Sequence, residues 1–183
     1  MRFIKMAFVG VAGLILLLTI IGLLIPSSVK ISRGVVIQAD SALVYDYLVN
    51  TSSWKQWMPW LQSQDGLLLQ QSAVTSGAGS FLRWKSVQGS NEGTLTLTRI
   101  IPGELQLLHE FKNMNPAKGG FRIRSIAGAG PQTEVQWFLE YRLKWYPWER
   151  FSGIFMDAML GRVLEQALQQ LAQITTADKS LPS

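Results

Sequence analysis

The sequence predicts an α+β protein. A curved antiparallel sheet wraps around one long carboxy-terminal helix, and an amino-terminal transmembrane helix precedes both. Twenty uncharged residues, Met6–Ile25, open the chain. Between residues 30 and 145, segments of alternating polarity are separated by glycine-rich turns, as in an antiparallel sheet with one covered and one wet face. From about Trp148 to Ile174, Met156, Leu160, Val163, Leu164, Ala167, Leu171 and Ile174 recur at helical spacing. That stripe is the only feature long and apolar enough to cover the inner face of such a sheet.

The run Met6–Ile25 is broken only by Thr19 and three glycines. At about 1.5 Å per residue it spans about 30 Å, the hydrocarbon thickness of a bilayer. The apolar region of a secretory signal is shorter, about 7–15 residues, and ends in small residues at a cleavage site. This run stops instead at Pro26-Ser27-Ser28, so an uncleaved anchor over 1–28 is expected in preference to a cleaved signal. Arg2, Lys5 and the amino terminus precede the span, and Lys30 and Arg33 follow it. The positive-inside rule, by that small excess, predicts a single-pass protein of the plasma (inner) membrane with its domain on the periplasmic, extracytoplasmic side.

Lys30–Ile37 is β-branched and reads as a first strand leaving the membrane with almost no linker. Asp40 or Ser41 can cap a short helix carrying Leu43, Val44, Tyr47 and Leu48 on one face. A second short helix restarts at Asn50–Ser53, and Pro59 stops it. Gly66–Val74 reads as a strand. Alternation then follows in Gly79–Ser86 (Leu82, Trp84), Gly93–Ile101 (Leu95, Leu97), Leu105–Lys112 (Leu107, His109, Phe111) and Phe121–Arg124. The longest run, Glu134–Trp145, sets Val135, Trp137, Leu139, Tyr141, Leu143 and Trp145 against polar neighbours. Residues 29–176 form one domain, with no internal repeat, and 177–183 a flexible tail.

The 183 residues contain no cysteine, which excludes disulfides, thiolate metal sites and a cysteine nucleophile. One histidine cannot make a zinc site, which needs three or four ligands. No cofactor is expected. The net charge of +5 comes from scattered basic residues, which argues against nucleic acid and is compatible with an anionic membrane surface. Gly77-Ala78-Gly79 lacks the lysine and following helix of a phosphate loop and reads as a turn.

An ordered set of motifs then stands out. It comprises Ser32-Arg33 before the first strand, Val44–Asn50, Trp54-x-x-Trp57-x-Pro59-Trp60 and Gly77-x-Gly79 before Trp84. Gly93-Thr94-Leu95-Thr96-Leu97, Pro102-Gly103-Glu104, Thr133-x-Val135-x-Trp137, Phe155-Met156-Asp157 and Gly161 complete it. Over about residues 29–174 the chain resembles the SRPBCC superfamily of START-like, polyketide cyclase/dehydrase-like proteins, and in particular its membrane-tethered members. The resemblance implies the helix-grip fold, with a deep cavity between sheet and long helix that accommodates lipids, sterols, polyketides or other apolar molecules. It implies no single shared reaction.

Trp54 and Trp57 read as core, whereas Trp60 is as readily a cavity-mouth residue as core. The helix start is apolar nearly all round. Its Phe151, Phe155 and Met159 share a face that suits either an adaptable pocket wall or plain core. His109 falls on the covered face with no assigned partner, which favours a polar pocket or core residue over a general base. Glu110, Glu140 and Asp157 read as solvated.

The expected ligand is a hydrophobic small molecule or lipid. Its candidate walls are Leu82, Trp84, Leu95, Leu97, His109, Phe121, Trp137, Leu139, Tyr141, Phe155, Met156 and Met159, with His109 and Tyr141 as orienting polar groups. No catalytic residue is assigned. A cyclase, dehydratase or isomerase acting on a polyketide-like or isoprenoid substrate is the second reading. An anchored interaction module with a filled core is the third.

Overall fold

The computed structural model describes residues 2–62, 66–87, 91–112, 114–128 and 130–179. The chain opens with α1 (Arg2–Leu24), followed by β1 (Ser28–Ile37), α2 (Ser41–Val49), α3 (Trp54–Trp57) and α4 (Pro59–Gln62). Strands β2 (Leu67–Gln71), β3 (Phe81–Ser86), β4 (Glu92–Ile101), β5 (Glu104–Phe111), β6 (Ala117–Ile126) and β7 (Gln132–Arg142) come next, and α5 (Pro147–Lys179) closes the chain. The strands form one antiparallel sheet in the order β1-β7-β6-β5-β4-β3-β2. The α+β architecture matches the one expected from periodicity.

Local chemistry accounts for the short elements. Asp40 caps α2 by accepting from the Ala42 amide at 2.8 Å. Pro59 ends α3, as expected, but also opens α4, because a proline suits the first position of a helix. In β7, Thr133, Val135, Trp137, Leu139 and Tyr141 point inward and are buried, as their alternation predicts. Here Trp137 stands between Phe121 of β6 and Arg33 of β1.

Three boundaries differ from expectation. The alternating run ends at Arg142 rather than Trp145, because its partner β1 begins at Ser28, opposite Arg142. Beyond that point there is no strand left to pair with, and Trp145 is exposed. The closing helix starts at Pro147 and runs to Lys179, so residues 177–179 of the expected tail are helical; 180–183 lie outside the described residues. The helix start is also not wrapped. Gly153, Met156, Leu160, Gly161 and Leu164 turn inward or stay half-buried, whereas Phe155 and Met159 are each 68% exposed.

Helix α5 packs mainly along β1. At Gly161 the helix surface is filled by the end of the Arg33 side chain, which lies where a Cβ would stand. Arg33 passes under the helix there and donates to both oxygens of Asp157 at 3.1 Å. Asp157, read from sequence as solvated, is therefore an ion-pair partner, although half of its side chain remains in water. Such a pair is worth little in stability, on the order of 1 kcal/mol or less, but it fixes the helix on β1.

Helix α1, which carries only Lys5 as a charge within Phe3–Leu24, is long and apolar enough by length and composition to cross a bilayer. Its carboxy-terminal end is docked on the domain. Gly22 lies against Pro147, the Leu143 amide donates to the Ser27 carbonyl at 2.8 Å, and the Arg150 guanidinium donates to the Ile25 carbonyl.

Candidate functional site

Between the inner face of the sheet and α5 lies a cavity of about 170 Å³. Its sheet side is Trp84, His109, Phe111, Trp137, Leu139 and Tyr141, with Asn91 just before β4. Leu160, Val163 and Leu164 of α5 form its roof, and Trp60 of α4 closes one side. Register explains the grouping. His109 pairs across the strands with Leu95 and Ala117, while Leu139 pairs with Gly119, so the inward residues of β5 and β7 meet over small residues of β6. Trp84 fits because position 93 is glycine, where a Cβ would lie 2.5 Å from its ring.

The lining is aromatic. Trp137 is the hub, with ring centres 6.1 Å from His109, 6.0 Å from Trp60 and 4.7 Å from Phe121. Trp84 stands 5.8 Å from Phe111 and donates its indole N–H to Asn91 Oδ1 at 2.9 Å. The other polar atoms of the lining are not satisfied this way. Among the described residues, neither nitrogen of His109, nor the indole nitrogens of Trp60 and Trp137, nor the Tyr141 hydroxyl has a hydrogen-bond partner. Burial of that kind costs about 1–3 kcal/mol per group unless something supplies a partner.

Burial also sets the protonation of both titratable groups. Loss of solvent pushes His109 down to about 3, with a weaker opposing pull from the nearby Ala117 carbonyl, which makes no hydrogen bond of normal geometry to the ring. Burial pushes the Tyr141 hydroxyl up to about 12. Both are neutral near pH 7. His109 then offers one N–H and one lone pair; Tyr141 offers an O–H; Trp60 and Trp137 each offer an N–H. Donors outnumber acceptors.

Of the twelve residues expected to wall a pocket, Trp84, His109, Trp137, Leu139 and Tyr141 surround this cavity. Leu82, Leu95, Leu97 and Phe121 are buried in the sheet's inner face away from it. Met156 borders a second, open groove, and Phe155 and Met159 point outward, so those two are not pocket walls. Trp54 and Trp57 are core, whereas Trp60 lines the cavity. Asn91 was missed, since an asparagine beside a turn carries no signal until its partner Trp84 is placed.

The open groove, about 440 Å³, lies where β7 passes into α5. Met114, Asn115, Tyr141, Lys144, Tyr146, Trp148, Glu149 and Met156 are among its walls. Asn115 braces it by donating to Glu149 at 2.9 Å and to the Arg142 carbonyl at 3.1 Å. Tyr141 borders both groove and cavity.

No protein-family model and no curated protein matches the chain. Solved structures do. A norcoclaurine synthase point mutant from Thalictrum flavum, in complex with a transition-state analogue, superposes with a TM-score of 0.63 at 12% identity, covering 84% of this chain and 97% of that one. An aromatase/cyclase from a Streptomyces species gives 0.60 at 13% identity, covering 81% and 94%. The Aha1 protein of Colwellia psychrerythraea gives 0.52 at 17% identity, covering 80% and 98%. With the sheet order and the long closing helix, these likenesses show that the chain has the helix-grip fold.

Proposed function

We propose that this chain is a membrane-anchored binding protein for an apolar molecule that carries oxygen acceptors, held between the sheet and α5. The observation that carries the reading is the set of unpartnered polar groups in an otherwise aromatic and aliphatic cavity: His109, Tyr141, Trp60 and Trp137. An apolar ring with carbonyl or hydroxyl oxygens would complement them, while burial of its carbon surface at about 25 cal/mol per Å² drives transfer from water or lipid. The cavity is close in size to one of about 150 Å³ that takes benzene. It suits one ring or a short head group, and a longer tail would lie past Tyr141 in the groove. Anchoring by α1, with the domain outside the cytoplasm, belongs to the same reading, and its sidedness is checked by protease protection in intact cells.

Binding is favoured over catalysis by one specific fact. A general base works best with a pKa near the working pH, and His109 is held neutral down to about 3. A filled interaction module is disfavoured by the cavity itself.

The test is native mass spectrometry with lipid extraction on the full chain from its own membranes, followed by titration with menadione, an apolar fused-ring diketone read by tryptophan quenching. Stoichiometric capture of an oxygen-bearing apolar molecule is expected. Tyr141→Phe should weaken menadione binding about 3–10-fold, the loss of one hydrogen bond, without lowering stability. A folded protein that takes up neither host lipid nor menadione would refute the reading.

A further inference from the structure

The outer face of α5 changes character along its length. Trp148, Phe155 and Met159 stand at i, i+7 and i+11, on one line of the helix, and are 71%, 68% and 68% exposed. Arg162, Gln166, Gln169 and Gln173 continue the exposed side in polar residues. Among the described residues Phe155 and Met159 stay largely uncovered, and Trp148 stacks on Tyr146. The apolar half lies at the end of α5 that touches α1, with Gly22 against Pro147 and Arg150 bound to the Ile25 carbonyl. The corner before it holds Trp145, Tyr146 and Trp148, with successive ring centres 5.3 and 5.1 Å apart and both tryptophans exposed. Arg142 and Lys144 are exposed beside them. Tryptophan and tyrosine with flanking basic residues is the composition that settles at the boundary between bilayer and water.

The position is as telling as the composition. The apolar run of α1 ends at Leu24, and Pro26 follows, so the water boundary of a bilayer spanned by α1 falls beside the aromatic corner. Lys144, Tyr146 and Trp148 of that corner are also lips of the groove bordered by Tyr141.

We propose that this corner and the outer face of the first four turns of α5 rest in the headgroup layer of the bilayer that α1 spans, so that the groove opens onto the membrane and the cavity loads from it. This rests on the anchored, ligand-binding reading above. The partner is anionic lipid, attracted by Arg142 and Lys144 and contacted by Trp148, Phe155 and Met159. Tyr141 stands between the groove and the cavity, where an arriving molecule passes from one to the other.

The absence of cysteine makes single labelling sites clean. Full-length Phe155→Cys, Met159→Cys, Gln169→Cys and Leu16→Cys proteins are spin-labelled in phosphatidylethanolamine–phosphatidylglycerol vesicles, and collision with oxygen is compared with collision with a water-soluble nickel chelate. Positions 155, 159 and 16 are expected to favour oxygen and 169 the chelate. Aqueous labels at 155 and 159 beside a lipid-exposed label at 16 would overturn the docking face while leaving the anchor. An aqueous label at 16 would overturn the anchor, and the proposal with it. Dipolar broadening at 155 that vanishes on dilution with unlabelled protein would assign the face to a second copy and also overturn the proposal. In a separate arm, a Phe155→Ser/Met159→Ser protein should take up vesicle-borne menadione at least about tenfold more slowly, the effect of two lost apolar anchors, and reach the same final occupancy. Equal uptake rates would overturn loading from the membrane.

Discussion

Acidification should destabilise this protein through its one histidine. Burial holds His109 at about 3 against 6.5 for a free side chain, so between those values the unfolded chain binds a proton that the folded chain refuses. Because the folded pKa is the lower one, stability falls as pH drops below about 6.5, by about 1.4 kcal/mol per pH unit, until the folded pKa is reached. From about pH 7 to about pH 5 the histidine contribution is a loss of about 2 kcal/mol. Glu104 adds a loss of the same sign at lower pH, since hydrogen bonds from Gln106 and Arg122 hold its carboxyl below the usual range. The assay is therefore comparative: urea unfolding of wild-type and His109→Gln protein in detergent micelles at both pH values, followed by tryptophan fluorescence. The wild type should lose about 2 kcal/mol more than the variant. Because no second histidine exists, the imidazole also gives an unambiguous carbon–proton NMR signal, which should stay in its neutral position through about pH 5. Equal losses in the two proteins, or a signal that titrates near 6.5, would refute the claim that the ring is dry and unpartnered.

Val163→Phe places a ring where the cavity is, and should weaken menadione binding at least about tenfold while leaving stability within about 1 kcal/mol, because the added carbon fills existing space. Binding unchanged in the folded variant would put the ligand elsewhere. Two glycine-to-alanine changes should diverge. At position 161 the new methyl meets only the end of the Arg33 side chain; losing its weak ion pair is offset by alanine's helix propensity, for a net change within about 1 kcal/mol. At position 93 the methyl meets the buried Trp84 ring and the Glu110 carbonyl, so a loss of about 1–3 kcal/mol is expected by urea denaturation.

Much of this protein is legible without coordinates, for reasons of period. Strand alternation from Leu82 to Tyr141 names the inward residues directly, because side chains on a half-covered sheet must alternate. The stripe Leu160, Val163, Leu164, Ala167, Leu171 marks the covered face of α5, and the run from Met6 to Ile25 declares its own length. Most of the candidate site follows from these: Trp84, His109, Phe111, Trp137, Leu139 and Tyr141 are on the right face because their parity puts them there, and Leu160, Val163 and Leu164 because they lie on the stripe.

What periodicity does not carry is depth along that face. Leu82, Leu95, Leu97 and Phe121 have the same parity as His109 yet fill core, because which rows face open space depends on where α5 and Trp60 come down on the sheet. Phe155 and Met159 misled for a related reason. An apolar residue on a helix is equally consistent with a core and with a lipid surface, since both exclude water. The direction of α5 over β1, which the approach at Gly161 and the Arg33–Asp157 pair hold, turned them outward. The seating of α1 on Pro147 and Arg150 was likewise invisible in sequence, being a contact between residues about 125 positions apart. Composition and period determined the fold, the long apolar amino-terminal helix and the covered face; the cavity, its unpartnered polar groups and the exposed aromatic corner came only from packing, because each depends on distances between elements that no local pattern encodes.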